Sequence, residues 1–127
     1  MTRKTAQWVR KAEGNYRLAV RISRGSEPFH DQLCFHCQQS SEKYFKAYQQ
    51  ELGLPVPKIH DLDRLLKLLL PHDVTLKALR RGLVSLSSYA VEYRYPGRSA
   101  NKRDTEVALK RATTIRKQIR KRLGLRA

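Results

Sequence analysis

Apolar residues recur along this chain at helical spacing, in steps of three and four, and no segment alternates in the manner of a half-buried strand. Between Thr5 and Arg24, Trp8, Ala12, Tyr16, Ala19 and Ile22 fall on one helical face, while Arg3, Arg10, Arg17, Arg21 and Arg24 follow the same period on the opposite one. Gly25, Ser26 and Pro28 break that helix. A second helix is predicted from about Phe29 to Leu52, with Leu33, Cys34, Cys37, Ser41, Tyr44, Phe45, Tyr48 and Leu52 inward and the small Cys37 and Ser41 leaving room for a close neighbour. GLPVPK, residues 53 to 58, is a stiff turn: a glycine stop followed by two prolines.

His60 and Asp61 open a short helix with the stripe Leu62, Leu65, Leu66 and Leu69, where Asp61 and Asp63 sit near the positive end of the helix dipole. Pro71 closes it. Asp73 is a suitable cap for a fourth helix in which Leu76, Leu79, Leu83, Leu86, Ala90 and Tyr93 make a packed seam as far as RYPG, residues 94 to 97. After the polar loop RSANKRD, a last helix turns Ala108, Ala112, Ile115, Ile119 and Leu123 inward and basic residues elsewhere. The predicted fold is all-α: an antiparallel four-helix up-and-down bundle with one additional short helix, forming a single domain over residues 1–127.

A domain of 127 residues buries roughly two-thirds of its unfolded surface and folds without staples. Charge changes the picture more. Lys and Arg number 27 against 11 Asp and Glu, a net +16, which attracts polyanions such as nucleic acid, nucleotides or an acidic protein; a generally basic proteome produces the same number. Two cysteines three apart in one helix are too few and too local for a secreted disulfide framework and point to a reducing cytoplasm. The start, MTRKTAQWVRKAEG, lacks the apolar core of a signal peptide, and the apolar run around Leu68 to Leu70 is far short of the roughly 18 residues of a membrane span. A cytoplasmic protein with no membrane partner is expected.

Several stretches carry candidate chemistry. Cys34-Phe35-His36-Cys37 has the spacing of a redox pair or half a metal site, but there is no second ligand pair and no sheet, and His36 falls on the side away from both thiols, so packing cysteines and no metal are expected. His60 and Asp61, with Arg94 after the fourth helix, suit a phosphate site; equally, they suit a helix cap and an ion pair. The run RKQIRKRLGLR, with Arg116, Lys117, Arg120, Lys121 and Arg122, suits nucleic-acid phosphates, or relieves the dipole of a terminal helix and keeps it soluble. No catalytic residue and no cofactor stand out.

Three pieces in order, QQSSEKYFKAY on the second helix, IHDLDRLL at the start of the third and YAVEYRYPG at the end of the fourth, resemble the HEPN domain, a small helical domain of prokaryotes and higher eukaryotes associated with nucleotide binding. The likeness covers nearly the whole chain. It implies a homodimer, often encoded beside a minimal nucleotidyltransferase and sometimes as a toxin-antitoxin couple, with Gln39, Glu42, Lys43, Lys46, His60, Asp61, Arg94 and Tyr95 as the characteristic positions. On the helical wheel Gln39, Lys43 and Lys46 face away from the core, with Glu42 one turn before Lys46 as an exposed ion pair that contributes tenths of a kcal/mol. That face is expected to line a groove for a phosphate-bearing ligand, completed by the region of Arg94 or by a second protomer; the alternative is an ordinary solvated face.

HEPN ribonucleases, which act without metal, carry a histidine shortly after an arginine in a late helix, whereas Arg94 is followed by YPGRSAN. The spacing recurs between Arg24 and His30, but across the Gly-Ser-Pro turn. The expectation is therefore a non-catalytic homodimer that binds a nucleotide or RNA and works with a separately encoded nucleotidyltransferase. A ribonuclease toxin and a basic adaptor for an acidic protein are the alternatives, and the tyrosine-bearing motif linked to AMP transfer is not recognisable.

Overall fold

The computed structural model describes residues 1–127 apart from the side chain of Ala90, so the assignment of Ala90 to the seam lies outside the described residues. Five α-helices, α1 (Arg3–Arg24), α2 (His30–Glu51), α3 (Leu62–Leu69), α4 (Leu83–Glu92) and α5 (Lys102–Arg122), and a 3-10 helix (Val74–Leu79) make up the fold, with no strand among the described residues. Their starts follow local chemistry. The Thr2 hydroxyl accepts from Thr5 N at 3.1 Å to cap α1, and Asp61 caps α3 by accepting from Asp63 N and Arg64 N at 3.0 and 3.2 Å. At α5, Asn101 and Asp104 close a reciprocal capping box, each side chain accepting from the other's backbone N–H.

Cross-links set the directions of the long helices. Thr5 pairs with Glu51 and Glu13 with Tyr44, so α1 and α2 run antiparallel; Tyr16 pairs with Thr113 and Glu13 with Arg116, so α1 and α5 do too. The predicted stripes of α1, α3 and α5 are the ones that face the core, with Ala12, Ala19, Leu62, Leu65, Leu66, Leu69, Ala108, Ala112, Ile115 and Ile119 buried. Among the described residues no helix is long and apolar enough to cross a membrane.

Two features differ from the sequence pattern. The fourth helix is not continuous: a 3-10 turn carries Leu76 and Leu79, and Gly82, at φ 83°, starts α4 afresh. The leucine stripe survives the break, because Leu76, Leu79, Leu83 and Leu86 are all buried. The second difference concerns α2, which is central and not one-sided, and whose last expected inward residue, Leu52, is instead 37% exposed just past the helix end. It packs against α1, α5, α4 and α3, and buries Cys37, Gln38, Ser40, Ser41, Glu42 and the unbroken run from Tyr44 to Gln49.

Candidate functional site

Polar residues Gln38, Glu42, Lys46 and Gln49 recur at steps of four, four and three, so they share one face of α2. That face is covered. Glu42 Oε2 accepts from Lys46 Nζ at 3.1 Å, and Oε1 accepts from His60 Nδ1 at 3.0 Å and from Gln38 Nε2 at 3.4 Å. Gln38 Nε2 also donates to His60 O at 2.9 Å, Gln39 Nε2 donates to Gln38 Oε1 at 2.8 Å, and Gln49 Nε2 reaches Leu65 O at 3.4 Å. The Lys46 ammonium lies 5.7 Å from the centroid of the Trp8 ring.

The expectation of an outward, exposed Glu42–Lys46 pair is corrected here: the two side chains are 5% and 6% exposed. Trp8 of α1 and the chain entering α3 lie on the face that a simple wheel leaves to solvent. His60, 77% exposed, is the part of this network that reaches water. Gln38 and Gln49 are members that the sequence reading missed, although their helical period with Glu42 and Lys46 was there to be seen. Ser40 Oγ and Gln49 Oε1 lack hydrogen-bond partners among the described residues.

Lys43 lies on a different edge of α2 and is half-buried. Its Nζ donates to Asn15 Oδ1 at 2.7 Å, and Asn15 Nδ2 donates to His36 Nδ1 at 2.9 Å. Burial lowers the Lys43 pKa; Glu42 opposes this, and Lys11 and Lys46 reinforce it. Arg94 and Tyr95 are exposed beyond the end of α4. Arg94 lines a cleft of 310 Å³ with Asp31, Gln32, Phe35, His36, Tyr89 and Tyr93, at the amino-terminal half of α2. From His36 to Lys46 the helix rises about 15 Å, so one chain does not bring Arg94 to Lys46, and Asp61 is occupied as the α3 cap.

The basic end of α5 is divided between internal and external roles. Arg116 clasps Glu13 with two bonds of 2.6 and 2.9 Å, Arg122 binds Asp73 Oδ2 at 2.8 Å and Thr75 Oγ1 at 2.6 Å, and Arg120 reaches Tyr44 OH at 3.3 Å and the Arg126 carbonyl. Glu13 is pushed up by burial but held below the ordinary carboxylate range by its bonds from Arg116 and Tyr44. Three of the five residues expected to face phosphates therefore tie α5 to the bundle, leaving Lys117 and Lys121 exposed. A separate groove of 640 Å³ opens along α1, lined by Tyr16, Arg17, Val20, Arg21, Arg24 and Arg116 with Glu13 and Gly25. The sequence pattern placed its arginines on the outer face of α1 without indicating a groove.

The sequence model of the HEPN domain matches residues 5–122, from the first turn of α1 to the end of α5. The chain belongs to the HEPN family. The crystal structure of TT1696 from Thermus thermophilus is similar to this HEPN chain with a TM-score of 0.79 and 25% identity, over 94% of this chain and 98% of that one. No curated protein matches it. In this HEPN bundle Cys34 and Cys37 are buried and unpaired thiols, and no group of metal-ligating side chains occurs among the described residues. Burial, with the charges of Asp104 and Asp31, pushes the Cys34 thiol up to about 12, and burial raises Cys37 as well.

Proposed function

We propose that this HEPN protein is a non-catalytic homodimer that binds a phosphate-bearing ligand, RNA or nucleotide, and acts with a separately encoded minimal nucleotidyltransferase, a pairing that includes the toxin-antitoxin kind. The observation that carries the reading is how few of its cations are spent internally. Of the 27 Lys and Arg, seven have a carboxylate within 4.0 Å, which leaves twenty without a neutralising partner. Such a field draws in a polyanion and gains by releasing its counterions.

The test is a titration of single-stranded RNA, with ATP and AMP in parallel, at rising salt. Six engaged phosphates on a single strand give a log-log slope of about −4. Absence of binding at low salt rejects the proposal. One observation favours a second reading, a metal-independent ribonuclease: His36 and Asp31 line the same cleft as Arg94, although no histidine follows Arg94 in sequence. That reading requires RNA cleavage by the purified protein in the presence of chelator, abolished in His36→Ala.

A further inference from the structure

Arg17, Arg21 and Arg24 stand at steps of four and three along one exposed edge of α1, and all three line the 640 Å³ groove. Like charges one turn apart destabilise a helix. None of the three has a carboxylate within 4.0 Å to relieve the repulsion. The groove's one acid, Glu13, is taken on both oxygens by Arg116, so four arginines against one glutamate leave the groove at +3. Beside this row the Arg116 guanidinium sits over the Tyr16 ring, 4.8 Å from its centroid, and the Tyr16 hydroxyl is fixed by Thr113 at 2.9 Å. With the ring face taken by Arg116, what the groove offers a ligand is the row of unpaired cations, the arrangement that tracks a strand's backbone.

We infer that this groove is a binding site for the backbone of single-stranded RNA, with phosphates along one short run gripped by Arg17, Arg21 and Arg24. The inference rests on the proposed function and assigns it a place, away from both the Glu42–Lys46 network and the Arg94 cleft. Dimensions agree: Arg17 to Arg24 spans about 10 Å of helix, the length of three steps of about 3.4 Å along a stacked strand, so the three arginines fall along a run of four phosphates. Arginine forks match phosphate oxygens in pairs. An acidic protein fits less well, because Val20 and the Tyr16 ring are the groove's apolar contacts and a protein interface needs a larger apolar centre.

The experiment is fluorescence anisotropy with a labelled 12-nucleotide oligouridylate over a salt series. It compares the parent, the triple variant Arg17→Ala/Arg21→Ala/Arg24→Ala, and a triple of equal charge loss at exposed positions elsewhere, Lys58→Ala/Arg64→Ala/Lys77→Ala. Alanine is a good helix former, so the α1 variant keeps its fold, which circular dichroism checks. The α1 triple is expected to bind at least about 100-fold more weakly, with a slope shallower by about 2, while the control keeps the parent slope. Equal losses in the two triples overturn the groove assignment and leave the proposed function standing. No binding by the parent removes both. Displacement of the RNA by polyglutamate of equal charge as readily as by unlabelled RNA assigns the groove to an acidic protein and overturns the inference.

Discussion

The Glu42 carboxylate takes donors from Lys46, His60 and Gln38 at once, and the ion pair it anchors is nearly closed to water. Removing one partner of such a pair leaves a buried charge, so Lys46→Ala is expected to destabilise the protein by about 3 kcal/mol, the lower end of the range because His60 and Gln38 still serve Glu42. Lys46→Met with Glu42→Gln removes both charges at nearly constant volume and should recover most of that loss, measured by urea unfolding. The thiols of Cys34 and Cys37, raised by burial, are expected to resist a thiol reagent at neutral pH until the protein unfolds. At this scale the sequence was readable in part. The cysteines read correctly as packing residues, but Glu42 and Lys46 did not read as buried, since a helical period identifies a face without saying what lies over it. Trp8 and the segment before α3 arrive from distant parts of the chain.

Gly82 interrupts a leucine stripe whose period alone predicts an unbroken helix. Its φ of 83° is left-handed, and a Cβ there would stand 2.5 Å from Arg111 Nε. Gly82→Ala is therefore expected to cost about 1–2 kcal/mol for the left-handed backbone, plus the displacement of Arg111. Gly14 is the internal comparison: it lies within α1 with open space around it, and Gly14→Ala should stabilise by roughly 0.5–1 kcal/mol. Thermal melts of the two variants separate the cases. The end of α5 is tied to the 3-10 helix by Asp73. Burial raises this carboxyl, but bonds from Thr75, Tyr48 and Arg122 outweigh it and lower the pKa from 3.8 to about 2. A carboxylate depressed on folding stabilises above its unfolded pKa and loses that contribution as pH falls through the folded value. Stability should thus fall from about pH 5 towards pH 2, and Asp73→Asn should flatten that part of the profile in melts taken across it. Asp61 and Asp73 were legible as caps because capping is local, whereas the capping box of α5 lies inside RSANKRD, which reads as a loop by its polarity. The Arg122–Asp73 tie was not legible, being a contact across 49 residues.

For the whole molecule, the net +16 sets two equilibria against each other, and salt tells them apart. The charge itself was legible from composition; the groove along α1 was not, because it exists only where α5 lays Arg116 over Tyr16. On another side, Val84 and Val91, 72% and 63% exposed, lie with Ser88 on one helical stripe of α4, and Tyr95, in the turn beyond, is 65% exposed. Tyr89 and Tyr93 stack on each other at 5.7 Å and pack partly against the core, so the outward stripe is what α4 offers to a second copy. Two copies meeting there bring +32 together, a repulsion that salt screens, whereas RNA binding at the arginines weakens with salt through counterion release. Light scattering is expected to show a dimer at micromolar concentration whose dissociation constant falls as salt rises. Val91→Glu should yield a helical monomer, since it places a carboxylate on the stripe without touching the core. A monomeric parent at all salt concentrations would remove the dimer from the proposed function; the α1 groove, built within one chain, would be unaffected.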